Sequence, residues 1–349
     1  MRNPPAQETM DEIVEFLGAD DRASLDNLAL SSRALQNSVL RVRWRLVWVW
    51  GLSTHPDSIA DFFTARPSIA VHVRTIRFRA SLLMASHVDG LERLADCCTN
   101  ANKIVLSKVN FVLHKDLISS FVPVLQKFRT IEFCRCVVTT SVFKALAEGA
   151  SNIRELRFPC DNIAHVGNGT LSPNALVFFS SITSLLFAAD GDDYDGTPME
   201  YPWLASVKWS SLQDLYVKAH DDKGITSAND ILVASPSVQH LVLHICPYER
   251  IDQGVKVDFS CMNSMKNLAL TVDLRGVQMI AGSLSTLKGQ VLRKVTINLY
   301  AAWNEVDNQD RSVIGQLDSA LVRLIDPERF HGMVIGSYTM GDKYDKSRS

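Results

Sequence analysis

Apolar positions recur along the chain in one local frame: an apolar residue, two spacers, a second apolar residue, one spacer, and a third. Ile153, Leu156 and Phe158 show it clearly. The same frame fits Val73/Ile76/Phe78, Ala101/Ile104/Leu106, Phe128/Ile131/Phe133, Ile182/Leu185/Phe187 and Leu212/Leu215/Val217. It returns at Val238/Leu241/Leu243, Met265/Leu268/Leu270 and Leu292/Val295/Ile297, which makes nine copies. A tenth, weaker copy is Phe330/Met333/Ile335. The middle residues of the nine lie 28, 27, 25, 29, 30, 26, 27 and 27 positions apart. A sustained period of this size predicts stacked repeats, each too small to bury its own apolar face.

Within each copy the last two apolar positions alternate with polar ones, which predicts a short strand with one face buried. Amphipathic stretches between the copies predict return helices near 82–94, 117–125, 141–148, 228–233 and 277–287. A longer one at 310–324 carries Val313, Ile314, Leu317, Leu321 and Leu324 and is expected to cap the C-terminal end. The period lies at the long end of the leucine-rich-repeat range. The expected fold class is therefore α/β. A leucine-rich-repeat-like solenoid, or horseshoe, of about nine to ten irregular repeats of 25–30 residues covers 73–338, with a polar tail at 339–349.

Strand alternation also predicts which residues would line the concave face. Arg77, Arg79, Lys103, Glu132, Glu155, Arg157, Tyr216, His240 and His244 all fall on it. Its early repeats lean basic through Arg77, Arg79, Lys103 and Arg157. A protein target with an acidic segment near that end is the corresponding expectation. Tyr and Arg are favoured hot-spot types.

The first fifty residues follow a different period. Met10, Ile13, Phe16 and Leu17 share a helical face, with Asp11 and Glu12 in the first turn and Gly18 as a stop. Asp20-Asp21 offers caps for a second helix carrying Leu25, Leu28 and Ala29. A third segment holds Leu35, Val39, Leu40, Val42 and Trp44. Trp44 and Trp48 are expected to share a helical face and join this module to the first repeat. Positions 51–72 are expected to form a linker or entry segment.

Composition narrows the function classes. The formal net charge of −2 exerts no global pull toward nucleic acid or anionic membrane. Trp44, Trp48 and Trp50 interleave with Arg41, Arg43 and Arg45, a pattern that can stack nucleic-acid bases, but packing explains it better. The start at Met1-Arg2-Asn3 lacks a signal-peptide pattern and no run of apolar residues is long enough for a membrane span, so an intracellular location, cytoplasmic or nuclear, is expected. The seven cysteines show no C-x-x-C pair and are expected to be reduced; Cys134 and Cys136 are expected to face the same way on one strand.

Candidate chemistry is sparse. His240 and His244 are four apart, but on a strand that separates them by about 13 Å, too far for one metal. Asp190-Gly191-Asp192-Asp193-Tyr194-Asp195-Gly196 fails the EF-hand register, since Tyr194 stands at a ligand position. The chain contains no phosphate loop and no nucleophile elbow. No catalytic residue, metal or cofactor is expected, and any chemistry is expected in a partner.

The N-terminal runs carry a family resemblance. Asp11-Glu12-Ile13-Val14-Glu15-Phe16-Leu17, Asp21-Arg22-Ala23-Ser24-Leu25, Leu28-Ala29-Leu30-Ser31-Ser32-Arg33 and Leu40-Arg41-Val42-Arg43-Trp44 resemble an F-box, in the variant found at the start of many fungal proteins. Ser68-Ile69-Ala70-Val71-His72-Val73-Arg74 resembles the segment by which those proteins enter their first repeat. The opening departs from the pattern: Glu8 is in place, but Pro5-Ala6 stands where Leu-Pro is usual and Thr9 replaces an apolar residue. The resemblance implies a three-helix F-box-like module at 1–50 docking on the Skp-type adaptor of a cullin ubiquitin ligase (SCF-type). The adaptor-facing residues would be Ile13, Phe16, Leu17, Leu25, Leu28, Leu30, Leu40 and Trp44. The repeats would hold the target. The alternative is a leucine-rich-repeat interaction scaffold whose F-box is degenerate and has no ligase role, the helices serving as a cap for the repeats.

Overall fold

The computed structural model describes residues 14, 21–51, 55–149, 152–158, 164–166, 173–189, 207–219, 221–245, 255–273, 276–287, 292–300, 315 and 319. The chain divides into two compact units, Met1–Ile153 and Arg154–Ser349.

The first unit begins with helices α1 (Arg22–Ser31) and α2 (Arg33–Arg43). Asp21 caps α1 by accepting from the Ser24 N–H at 3.1 Å. Val14, Leu25, Val39 and Val42 bury themselves together, with Leu28, Ala29 and Leu35 packed around them. Arg43 and Asp26 form an ion pair that ties the two helices.

Strand β1 (Leu46–Trp50) follows directly. This is a correction to the expected helix through Trp44 and Trp48. Val47 and Val49 are buried, whereas Trp48 and Trp50 point to the other face. Segment 51–72, expected as a linker or entry segment, holds α3 (Pro56–Thr64) and α4 (Pro67–Ala70). Each opens on a proline at the first helical position, where the missing N–H costs nothing.

The unit then alternates strand and helix. It runs through β2 (Thr75–Arg79), α5 (Ala85–Cys97), β3 (Lys103–Ser107), a 3-10 turn and α6 (Ile118–Leu125), and β4 (Thr130–Cys134). The short β5 (Val137–Thr139) and α7 (Thr140–Glu148) complete it. β1 to β4 lie side by side in that order, all parallel. Behind them Phe78, Phe111, Phe121, Phe133 and Phe143 form a chain of rings with centroids 5.8–6.5 Å apart.

The second unit repeats the scheme. β6 (Glu155–Phe158), β8 (Ser184–Ala189), β9 (Asp214–Ala219), β10 (His240–Ile245), β11 (Asn267–Asp273) and β12 (Lys294–Tyr300) form a parallel sheet in that order. The short β7 (Ala164–Val166) follows β6. Helices α8 (Pro173–Ser180), α9 (Asp222–Val233) and α10 (Val277–Leu284) lie between strands.

The pairing follows the expected frame. Ile76 lies opposite Ile104, Leu215 opposite Leu241, and Leu268 opposite Val295. Every residue of the nine signatures is buried except Ala101, which is half-buried. A second regularity joins the repeats. At most of the long strands, the carbonyl just before one strand accepts two consecutive N–H groups at the start of the next: Arg45 from Arg74 and Thr75, Gln213 from Gln239 and His240, Lys266 from Arg293 and Lys294. Each such repeat thus supplies backbone partners that the next one lacks. The tenth copy and the expected C-terminal helix fall outside the described residues.

Candidate functional site

Strand alternation leaves one row of side chains per strand facing away from the buried core. In the first unit, Trp48 lies opposite Arg77 in the β1–β2 register, and Trp50 opposite Arg79. The guanidinium carbons of Arg77 and Arg79 sit 4.6 and 5.0 Å from the centroids of Trp48 and Trp50. The two indoles neighbour each other at 6.0 Å and are 41% and 42% exposed. Further along the same row lies Glu132, 9% exposed. Lys103 Nζ reaches it at 2.5 Å and Arg77 at 4.0 Å. Val105, between them, is buried.

The face of the second unit is more neutral. Glu155 accepts from Arg157 Nε at 2.7 Å, two residues away on the same strand edge. Tyr216 and His244 are within hydrogen-bond reach at 3.4 Å, and His240 Nδ1 meets the Asn267 amide at 2.7 Å. A shallow pocket of about 300 Å³ is lined by Glu155, Arg157, Ser184, Tyr216, His240 and Val242, among others. Of the predicted face residues, the geometry therefore gathers Arg77, Lys103 and Glu132 in one cluster, with Arg79 beside it. Glu155, Arg157, Tyr216 and His240 share the other. His240 and His244 lie on β10, and among the described residues no group of three His, Cys, Asp or Glu side chains has a metal-holding arrangement.

On the N-terminal helices the expected adaptor surface divides. Leu30 is 86% exposed, Leu28 and Leu40 are half-buried, and Leu25 is wholly buried in the α1–α2 core. Leu25 is thus a core residue, a correction forced by its position on the inner face of α1. Trp44 packs against Phe62 and Phe63 of α3, with centroids 5.4 and 5.7 Å away. Ile13, Phe16 and Leu17 lie outside the described residues, as does the acidic loop 190–196.

Cysteines are free thiols at Cys97, Cys98, Cys134, Cys136 and Cys261. Burial pushes the Cys98 and Cys136 thiols up to about 12, which removes thiolate character at neutral pH. Cys134 and Cys136 do not share one strand face: β4 ends at Cys134, and Arg135 turns the chain with φ of 54°.

Trp48 and Trp50 are the face residues that repeat reasoning missed. The signal is present: Trp44, Val47 and Val49 obey the same apolar frame, one period ahead of Val73/Ile76/Phe78.

No family model matches the chain, and no curated protein matches it by sequence. Among solved structures, the chain is similar to the leucine-rich repeat-containing protein LegL7 of Legionella pneumophila. Identity is 13%, over 78% of this chain and 98% of that one, with a TM-score of 0.39. It is similar to a Bacteroides fragilis protein at 10% identity, over 81% and 71% of the two chains, with a TM-score of 0.37. The yeast Rad7 and Elc1 complex is a third, at 11% identity, over 86% and 91%, with a TM-score of 0.28. No functional residue is carried over from them.

Proposed function

We propose that the chain is a protein-recognition subunit whose repeated strands hold a target and whose N-terminal helices dock it on the Skp-type adaptor of a cullin-based ubiquitin ligase. The observation that carries the recognition half is the row of side chains on β1 to β4. It combines two exposed tryptophans with stacked arginines, the residue types that anchor interfaces. The helical half rests on Leu30. With Val14, Leu25, Val39 and Val42 filling the core, this large apolar residue is left in solvent beside half-buried Leu28.

Chemistry belongs to the partner in this reading, and the chain supplies position. The test is co-purification of the full chain with the Skp-type adaptor, repeated with L28A/L30A. Capture by the wild type and its loss in the variant support the reading, provided the variant melts like the wild type.

A second reading is favoured by the opening Pro5-Ala6 and by the burial of Leu25, both of which shrink the surface available to an adaptor. The chain would then be an interaction scaffold with no ligase role. Absence of adaptor capture by the wild type selects it.

A further inference from the structure

We infer that the Trp48/Trp50–Arg77/Arg79 platform binds an extended peptide with carboxylate side chains at alternate positions. The inference rests on the reading that the strand face recognises protein, and it names the chemistry of what is held there.

Three observations point the same way. Charge on the first unit is sorted by element. The acids Asp57, Asp61, Glu92 and Asp96 sit on α3 and α5 and are paired with Arg93 and Lys127. On the strand face Arg77 and Lys103 meet a single described carboxylate, Glu132, and Lys103 holds it most closely. Arg79 has no carboxylate partner among the described residues, and Arg77 Nε is buried without a hydrogen-bond acceptor. Among the described residues, Arg79 therefore has no anion of its own, and Arg77 shares Glu132 with the closer Lys103.

Spacing selects an extended ligand. Arg77 and Arg79 project from one strand face two residues apart, roughly 6.6 Å along β2. Carboxylates at alternate positions of an extended peptide repeat at the same distance. Each can take the forked edge of one guanidinium, which stacking on an indole holds in a fixed plane. The exposed parts of Trp48 and Trp50 then receive an apolar side chain adjoining each acid.

A basic, tryptophan-bearing face also suits single-stranded nucleic acid, where bases stack on the rings. Here one face of each indole is already covered by a guanidinium, which leaves less ring for a base. The peptide is favoured for that reason.

The experiment is fluorescence anisotropy of the full-length chain with three labelled probes: a synthetic peptide alternating Val and Glu, its Val/Gln counterpart, and an oligothymidylate. The Val/Glu peptide is expected to bind and the Val/Gln peptide not to. Arg79→Gln is expected to weaken the acidic peptide about tenfold or more, the scale of one charge-assisted contact, with unchanged thermal unfolding. W50F, which keeps a ring and a fold but loses contact area, gives a smaller loss. No binding of the acidic peptide by the wild type, equal binding of the two peptides, or tighter binding of the oligothymidylate overturns the inference. Adaptor capture reads the N-terminal helices independently, so its failure is distinguishable from failure here.

Discussion

Val47 lies directly opposite Ile76 in the parallel register of β1 and β2, 29 positions apart in the chain. That pairing puts the first strand inside the region whose sequence also resembles the end of a helical module. It has a direct chemical consequence. With Val47 and Val49 turned into the core, Trp48 and Trp50 must stand on the open face, beside Arg77 and Arg79.

Truncating a signature residue is expected to cost more than its own contacts, because each one is clamped between strands of two neighbouring repeats. Leu215 and Leu241 face each other across β9 and β10, and both are buried. L215A or L241A should each lose about 2–5 kcal/mol, the range for a large-to-small change in a packed core. Chemical denaturation followed by far-UV circular dichroism measures it. An unchanged midpoint would place these leucines outside the core.

Gly90 lies in the middle of α5, where helix propensity alone favours alanine by about 1 kcal/mol. Packing opposes it. An added Cβ would meet the Asp57 backbone nitrogen at 2.7 Å and Pro56 Cβ at 2.8 Å, both at the start of α3. Neither is the far end of a flexible side chain, so the helices must separate. G90A is expected to destabilise by about 1–3 kcal/mol, the usual cost of overpacking. A rise in melting temperature would show that propensity wins and that α3 yields.

The repeat signatures are legible in the sequence because the signature positions of each strand enter the core while the row between them stays largely polar, even where β3 and β4 also bury Val105 and Glu132, so apolar spacing reports strand position directly. The first strand is not legible in the same way. Trp44 and Trp48 are four apart and fit a helical stripe as well as alternation fits a strand, and a run this short does not separate the two periods. Pro56 and Pro67 mark the starts of α3 and α4, a start signal that weighs less in a sequence than a neighbouring hydrophobic pattern does. The candidate site is legible as a list of face positions. Its pairing is not, since the contact of Lys103 with Glu132 depends on the register of two strands 27 positions apart. Leu25 shows the same limit on the helices: apolar spacing cannot tell a core leucine from a docking one.

His87 predicts a pH response. It is wholly buried, with Nε2 3.0 Å from the Gly51 carbonyl and Nδ1 accepting from the Met84 N–H at 3.3 Å. These contacts suit the neutral ring with its proton on Nε2; a proton on Nδ1 would face another donor. Burial is the main cause that lowers its pKa below the usual 6.5, nearby His55 adds to it, and the Gly51 carbonyl acts in the opposite direction. The unfolded chain therefore binds the proton more readily than the folded one. Stability is complete above about 6.5 and falls as pH drops through that value toward the folded pKa. Urea midpoints measured across this window should decline for the wild type and decline less for H87Q. Parallel declines would assign the response to other groups.

Glu132 is the point where face chemistry and stability meet. Its carboxylate is largely buried between Lys103 and Arg77, on the strand next to β3. Replacing it with glutamine keeps the shape but leaves the ammonium of half-buried Lys103 without its counter-charge. E132Q is expected to lose about 1.5–3 kcal/mol, the range for hydrogen bonds to charged groups. Removing both charges at once, as in K103M/E132Q, should restore part of that loss, because the unpaired cation is the costly species rather than the missing pair. A double-mutant cycle in thermal unfolding reads the coupling. Strict additivity of the two substitutions would mean that Lys103 escapes to solvent when Glu132 is neutralised, and that the pair adds nothing to the rigidity of the face.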